Sequence, residues 1–317
     1  MRKIKIMFRT ICVVLVIFII ATLIAANYFY NLALNPKSNK DIVDEGNVTL
    51  EIEASKKDAF NYKYWLLKES GSIEFYVTSR DGLQLHNYEI NALSKSHKYA
   101  IVVHGYTSSG KSMGRIAKYF SDRGYHVIVP DLRGHGQSEG DYIGMGWHER
   151  NDLIDLIQSI IAKDDHARIV LAGVSMGAAS VLMVSGEAIP DNVVAIIEDS
   201  SYTSVWEEFS YELSELFHIP SFPIIPATSL LTKYRAGYDF KEASAIEQVR
   251  KSKTPTLFIH GSKDTFVPPY MMNELYDACN APKDRLLIEG AGHAQSIEIA
   301  SEQYMVKVSE FLNKYRM

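Results

Sequence analysis

Residues Leu171–Ser180 read LAGVSMGAAS, and the reading of this stretch decides the fold. An apolar run stops at Gly173-Val174-Ser175-Met176-Gly177 and resumes as a segment of small residues. The pattern is G-x-S-x-G, set between a strand-like run and a helix-like one. A sharp strand-to-helix turn at this point lifts the Ser175 hydroxyl above the end of a sheet. Gly173 and Gly177 let the backbone pass closely on either side. The five-residue pattern is common by chance, so its surroundings carry the weight.

Outward from this turn, short β-rich runs alternate with helical ones. YAIVVH is followed by MGRIAKYFSDRG, HVIVPD by ERNDLIDLIQSIIAK, and RIVLAG by the small-residue helix. VVAIIED, PTLFIHG and RLLIEG continue the series, the last two each followed by a helical pattern. Near-continuous apolar strands separated by helices predict an α/β fold, a mostly parallel doubly wound sheet covered on both faces. Upstream, Asp58–Ser70 has apolar residues at helical spacing, and Ser72–Ile90 holds two strand-like runs around Asp81-Gly82, a hairpin signal. Residues 202–250 lie between two strands, have no strand of their own and carry Pro220, Pro223 and Pro226. An insertion of that length reads as a helical lid, the plainer alternative being a cover for the sheet edge.

A serine nucleophile needs a base, and the base needs an orienting carboxylate. Asp264 stands just past the strand-like PTLFIHG, and His293 just past RLLIEG. The order Ser175, Asp264, His293, each at the C-terminal end of a strand, is that of a Ser-His-Asp hydrolase. Asp199, at the end of VVAIIED, is a second candidate for the acid, and Glu198 and Asp199 together suit loop orientation. With His104-Gly105, DLRGHGQS (Asp131–Ser138), GVSMG, GSKDTFVP and GAGH on the page, the chain from about residue 72 to its end resembles the α/β-hydrolase superfamily. Within it the likeness is to the serine-hydrolase branch of esterases and prolyl-peptidase-like enzymes. The resemblance implies an oxyanion hole built from the backbone N–H of Tyr106, after His-Gly, and that of Met176, after the nucleophile. Trp206 and Phe209 in the insertion are candidate pocket residues, and His135 reads as a turn residue.

Gly105–Ser112 also fits G-x-x-x-x-G-K-[ST], the nucleotide phosphate loop. Asp131 and Asp199 could each serve a magnesium ion. The match nevertheless follows two leading strands in a chain read as exported, away from nucleotide pools, and leaves Ser175, Asp264 and His293 as coincidences. The expectation is therefore no nucleotide. His148-Glu149 begins a zinc motif, but position 152 is Asp where the second His belongs, so no metal or other cofactor is expected.

The 317-residue chain is 47% hydrophobic and 22% charged, which describes a globular protein, and its formal net charge of −5 gives no support to a nucleic-acid partner. Two cysteines, Cys12 and Cys279, exclude a disulfide framework and a thiolate zinc site. Arg2, Lys3, Lys5 and Arg9 precede an uncharged apolar run. Residues 1–9 read as a basic cytoplasmic region, 10–30 as a single-pass signal anchor, 31–57 as a tether and 58–317 as the hydrolase domain. Tyr28, Phe29 and Tyr30 would be aromatic anchors at the far interface. This puts the domain outside the cytoplasm, attached to the membrane; the alternative is secretion after cleavage of a signal peptide, although no A-x-A-like site is present.

The function expected is hydrolysis of an ester, thioester or amide in a small-molecule or peptide acyl substrate, through an acyl-enzyme. A carboxylesterase leads, a serine aminopeptidase or acyl-peptidase of the same fold is the alternative, and Glu207 and Glu208 could hold a substrate amine if they are not a solvated face. A non-catalytic surface-binding protein on a hydrolase scaffold is the reading from a different class.

Overall fold

A computed structural model describes residues 2–38, 40 and 53–315. In chain order the elements are α1 (Arg2–Leu34), α2 (Glu53–Tyr64) with a π-helical turn (Trp65–Glu69), β1 (Ile73–Thr78), β2 (Gln84–Ile90), β3 (Lys98–Val103), a 3-10 turn (Gly110–Met113), α3 (Gly114–Ser121), β4 (His126–Pro130), α4 (Glu149–Lys163), β5 (Arg168–Val174), α5 (Met176–Ser185) and β6 (Val193–Asp199). There follow α6 (Val205–Phe217), α7 (Ser221–Ala236), α8 (Ala245–Val249), β7 (Thr256–Gly261), α9 (Tyr270–Ala278), β8 (Lys283–Ile288), α10 (Ser296–Ile299) and α11 (Ser301–Lys314).

The eight strands form one sheet in the order β1-β2-β4-β3-β5-β6-β7-β8. β1 and β2 pair as the expected antiparallel hairpin, and β2 runs antiparallel to β4. From β4 to β8 every pairing is parallel. Val102, Val103, Ile169–Leu171 and Leu257–Ile259 are buried, as strands with helices on both faces must be. One core lies beneath α4, α5 and the insertion; the other lies beneath α3 and α11.

The insertion is helical. Its ends are drawn together by a β-bridge between Ser204 and Ser244. Ser204 also caps α6, its hydroxyl accepting from the Glu207 N–H at 3.2 Å. α6 stops at His218 in the left-handed conformation, and α7 at Gly237, φ 80°.

The N-terminal helix departs from expectation. At 33 residues it is about 50 Å long, well beyond a bilayer core. Its side chains are exposed almost throughout as far as Ile24. Beyond that, Ala26, Tyr30 and Leu34, spaced four apart, are buried against the domain. Of the three aromatics read as anchors, Tyr28 alone is exposed. Phe29 meets Phe217 edge-on at 5.1 Å, and the Arg235 guanidinium lies 4.8 Å from the Tyr30 ring centre. The reason is that the helix continues past residue 30 and puts those rings on the lid. Residues 31–34 of the expected tether are therefore docked helix; residues 39 and 41–52 lie outside the described residues.

Candidate active site

Ser175 sits between β5 and α5 at φ 55°, ψ −121°, a region that non-glycine residues avoid. Its backbone N–H donates to the Asp199 carbonyl at 2.8 Å, tying the turn to the end of β6. Both neighbouring glycines are required by space. A Cβ on Gly173 would lie 2.3 Å from the Gly177 carbonyl oxygen, and one on Gly177 would lie 2.3 Å from that of Val103.

His293 follows β8, and its Nε2 lies 2.8 Å from Ser175 Oγ. Its Nδ1 lies 2.8 Å from Asp264 Oδ2. Asp264, after β7, also accepts the N–H groups of Phe266 at 3.0 Å and Val267 at 2.8 Å on Oδ1. Burial alone would raise this carboxyl, but His293 and His260 outweigh it and hold Asp264 at about 2. A carboxylate on one ring nitrogen leaves the other to accept the serine proton. Asp199 occupies a different role: its Oδ1 accepts from Ser296 Oγ at 2.9 Å and Ser200 Oγ at 3.1 Å. Glu198 accepts the Ser201 N–H at 3.1 Å. Both carboxylates accept from loop donors, and the carboxylate within hydrogen-bond distance of the His293 ring is that of Asp264.

Tyr106 and Met176 flank the serine. Met176 opens α5, where first-turn N–H groups have no acceptor within the helix. A Cβ built on Gly105 would stand 3.1 Å from Ser175 Cβ, so the Gly105–Tyr106 backbone passes against the serine. The loop is held by neighbours. The Leu132 N–H donates to His104 Nε2 at 3.0 Å, leaving Nδ1–H for the Gly105 carbonyl at 2.7 Å. Burial pushes His104 down to about 4, so it stays neutral. Gly110 donates its N–H to Asp131 Oδ1 at 2.7 Å. That donor would face phosphate in a nucleotide loop; here a carboxylate takes it. His135 donates from Nδ1 to the Arg133 carbonyl at 3.0 Å and is buried in its turn.

A cavity of about 760 Å³, its mouth included, opens beside Ser175. Its walls are almost wholly apolar: Phe209, Leu213, Leu216 and Phe217 of α6, Ile225 of α7, Phe240 and Phe266. Phe209 is thus where the sequence suggested. Trp206 is not; α6 turns it away from the cavity, and its ring lies 4.5 Å from Lys241 Nζ. Three lining residues lie in α1: Phe29, Leu32 and Ala33. They were not legible as pocket residues, because a uniformly apolar anchor hides which face docks. The one signal is the change from aliphatic residues to the polar-aromatic NYFYN at Asn27–Asn31 while the helix pattern continues.

Glu208 and Glu212 of α6 also line the cavity. Glu208 is 2% exposed, and neither of its carboxyl oxygens has a hydrogen-bond donor among the described residues. It is therefore no solvated face. Burial raises it well above the ordinary carboxyl range, and burial, then Asp264, pushes Glu212 to about 8. Among the described residues, no group of three or more His, Cys, Asp or Glu side chains is placed to hold a metal.

A family model described as serine aminopeptidase, S33, matches residues 94–219. The uncharacterized protein YqkD of Bacillus subtilis is 29% identical over 240 residues, 75% of this chain and 78% of its own length. The lysophosphatidylserine lipase ABHD12 of Danio rerio is 27% identical over 202 residues, 59% of this chain and 48% of its own. Among solved structures, the esterase Pf2001 of Pyrococcus furiosus superposes with a TM-score of 0.65 at 22% identity, over 85% of this chain and 97% of that one. The sheet order, the turn at Ser175 and these likenesses agree, and the fold of the chain is that of an α/β-hydrolase.

Proposed function

We propose that this chain is a serine carboxylesterase in which Ser175 is the nucleophile, His293 the base and Asp264 the orienting acid. One observation carries the reading: the unbroken relay from Ser175 Oγ through His293 to Asp264, both links 2.8 Å, on a serine held at φ 55°. Ser175 Oγ attacks the ester carbonyl as His293 Nε2 takes its proton. Negative charge gathers on the carbonyl oxygen, between the N–H groups of Tyr106 and Met176. A donor so placed is worth about 3 kcal/mol in the transition state. His293 returns the proton to the departing alcohol, and water then frees the acid from the serine by the same steps reversed. Asp264, ionised at every working pH, stabilises the imidazolium in both halves. The apolar walls suit an acyl chain.

The basic residues in the first turns of α1, Arg2, Lys3, Lys5 and Arg9, favour the cytoplasmic side for that end, with the hydrolase domain across the membrane. A second reading, aminopeptidase, is favoured by Glu208: an unpaired buried carboxyl in the cavity would ionise on meeting a substrate ammonium. Labelling of the full chain by a fluorophosphonate probe, lost in Ser175→Ala, is the outcome that supports the nucleophile. An unlabelled, folded wild-type chain would leave the non-catalytic reading in its place. Nitrophenyl esters set against aminoacyl-nitroanilides then separate esterase from peptidase.

A further inference from the structure

The end of α1 is joined to the site as well as lying near it. The last carbonyls of a helix have no partner within it. Here the hydrolase domain and Lys40 of the following segment supply them. The Tyr106 hydroxyl donates to the Ala33 carbonyl at 2.6 Å, and the Ile143 N–H to that of Leu34 at 2.8 Å. Lys40 Nζ donates to the Leu32 carbonyl and, at 3.2 Å, to that of Ala33. Tyr106 is the residue whose backbone N–H is assigned above to the oxyanion. Phe29, Leu32 and Ala33 face the same cavity as Ser175.

The other end of this arrangement is the bilayer. Ile24 is 66% exposed and continues an apolar surface that runs back along the helix. α7 packs along α1. Beside α1, α7 adds Leu230 and Tyr234, one helical turn apart and 71% and 88% exposed, with Phe222 at 73%. From Ile24 to Ala33 is nine residues of helix, about 14 Å. The exposed apolar stretch of α1 thus lies within the length of an acyl chain of the cavity wall.

We propose that the membrane helix is part of the substrate site, and that the substrate is a single-chain acyl ester taken directly from the bilayer leaflet where α1 emerges. The inference rests on the nucleophile reading above. The acyl chain lies in the cavity against Leu32 and Phe29, and its carbonyl reaches Ser175; the polar alcohol stays at the mouth, on the water side. One apolar cavity beside Ser175 receives the chain. Hydrolysis consumes one water, leaves the carboxylate in the leaflet and releases the alcohol to water. The bilayer is selected over soluble esters because the walls are apolar and one of them is itself a membrane helix.

The test uses the full chain reconstituted in phosphatidylcholine vesicles carrying 1-palmitoylglycerol, with 4-nitrophenyl acetate as the short soluble ester. Leu32→Trp fills the cavity from α1. The ratio of palmitoylglycerol to acetate hydrolysis should fall at least tenfold. Phe29→Ala, which enlarges the same wall, guards against a tryptophan variant that does not fold. It should raise hydrolysis of 1-arachidoylglycerol relative to 1-palmitoylglycerol at least threefold. Ratios within twofold of wild type in a labelled variant would overturn the proposal, since a purely structural helix lowers both rates together. A wild-type chain that does not label would instead show that the nucleophile reading has failed and would take this inference with it.

Discussion

Ser175 bears backbone strain, and the strain has a use. At φ 55° its hydroxyl is presented to His293, while its N–H remains bound to Asp199. The dyad with Asp264 depends on charge as much as on geometry. Asp264→Asn keeps the shape but offers His293 an amide where a carboxylate stood, so the imidazolium loses its partner and the productive tautomer is no longer enforced. We expect kcat on an ester substrate to fall about 10³- to 10⁴-fold, with the melting temperature little changed. A fall under tenfold would move the orienting role to another acid. At this scale much was legible in the sequence: order and strand context singled out Ser175, Asp264 and His293. Glu208 was not, because an acid on an amphipathic helix looks solvated until the opposing wall is known.

Among the elements, α6 carries the most unusual chemistry, with two carboxyls one turn apart facing an apolar cavity. Glu212 is raised from 4.5 to about 8, first by burial and then by Asp264. The folded state therefore holds this proton more tightly than the unfolded chain does. Its contribution to stability is complete below pH 4.5 and is lost as pH rises through 8. Glu208 acts in the same direction. The full chain should melt at a lower temperature at pH 8.5 than at pH 6, and Glu212→Gln should shrink that difference. An undiminished difference in the variant would mean that Glu212 is hydrated. The strands and most helices were readable from hydrophobic period alone, since they are short runs with clear faces. The lid was readable only as an insertion. Which of its aromatics turn inward depends on the register of α6 over the sheet, and this is why Phe209 lines the cavity and Trp206 lies outside it.

At the scale of the whole molecule, α1 has two parts that composition does not distinguish. Leu23 is 60% exposed and Leu34 fully buried, although both are leucines of one helix. Leu34→Ala leaves a cavity in the domain core and should cost about 2–5 kcal/mol, read as a lowered unfolding midpoint in detergent. Leu23→Ala should leave that midpoint where it is. Equal effects would mean that the helix end is undocked. A hydropathy pattern reports how apolar a helix is, and docking is a property of the surface it meets, so no reading of the anchor by itself could have found it. On the proposal that α1 is both membrane helix and substrate wall, its docking also sets the kinetics. An enzyme on a loose tether samples a volume of solution, whereas one whose membrane helix forms a wall of its active site is held at a fixed height and orientation above the lipid. Its search for substrate becomes lateral diffusion within a plane, and its rate should follow the mole fraction of acyl ester in the surface, unmoved when the same vesicles are diluted in buffer.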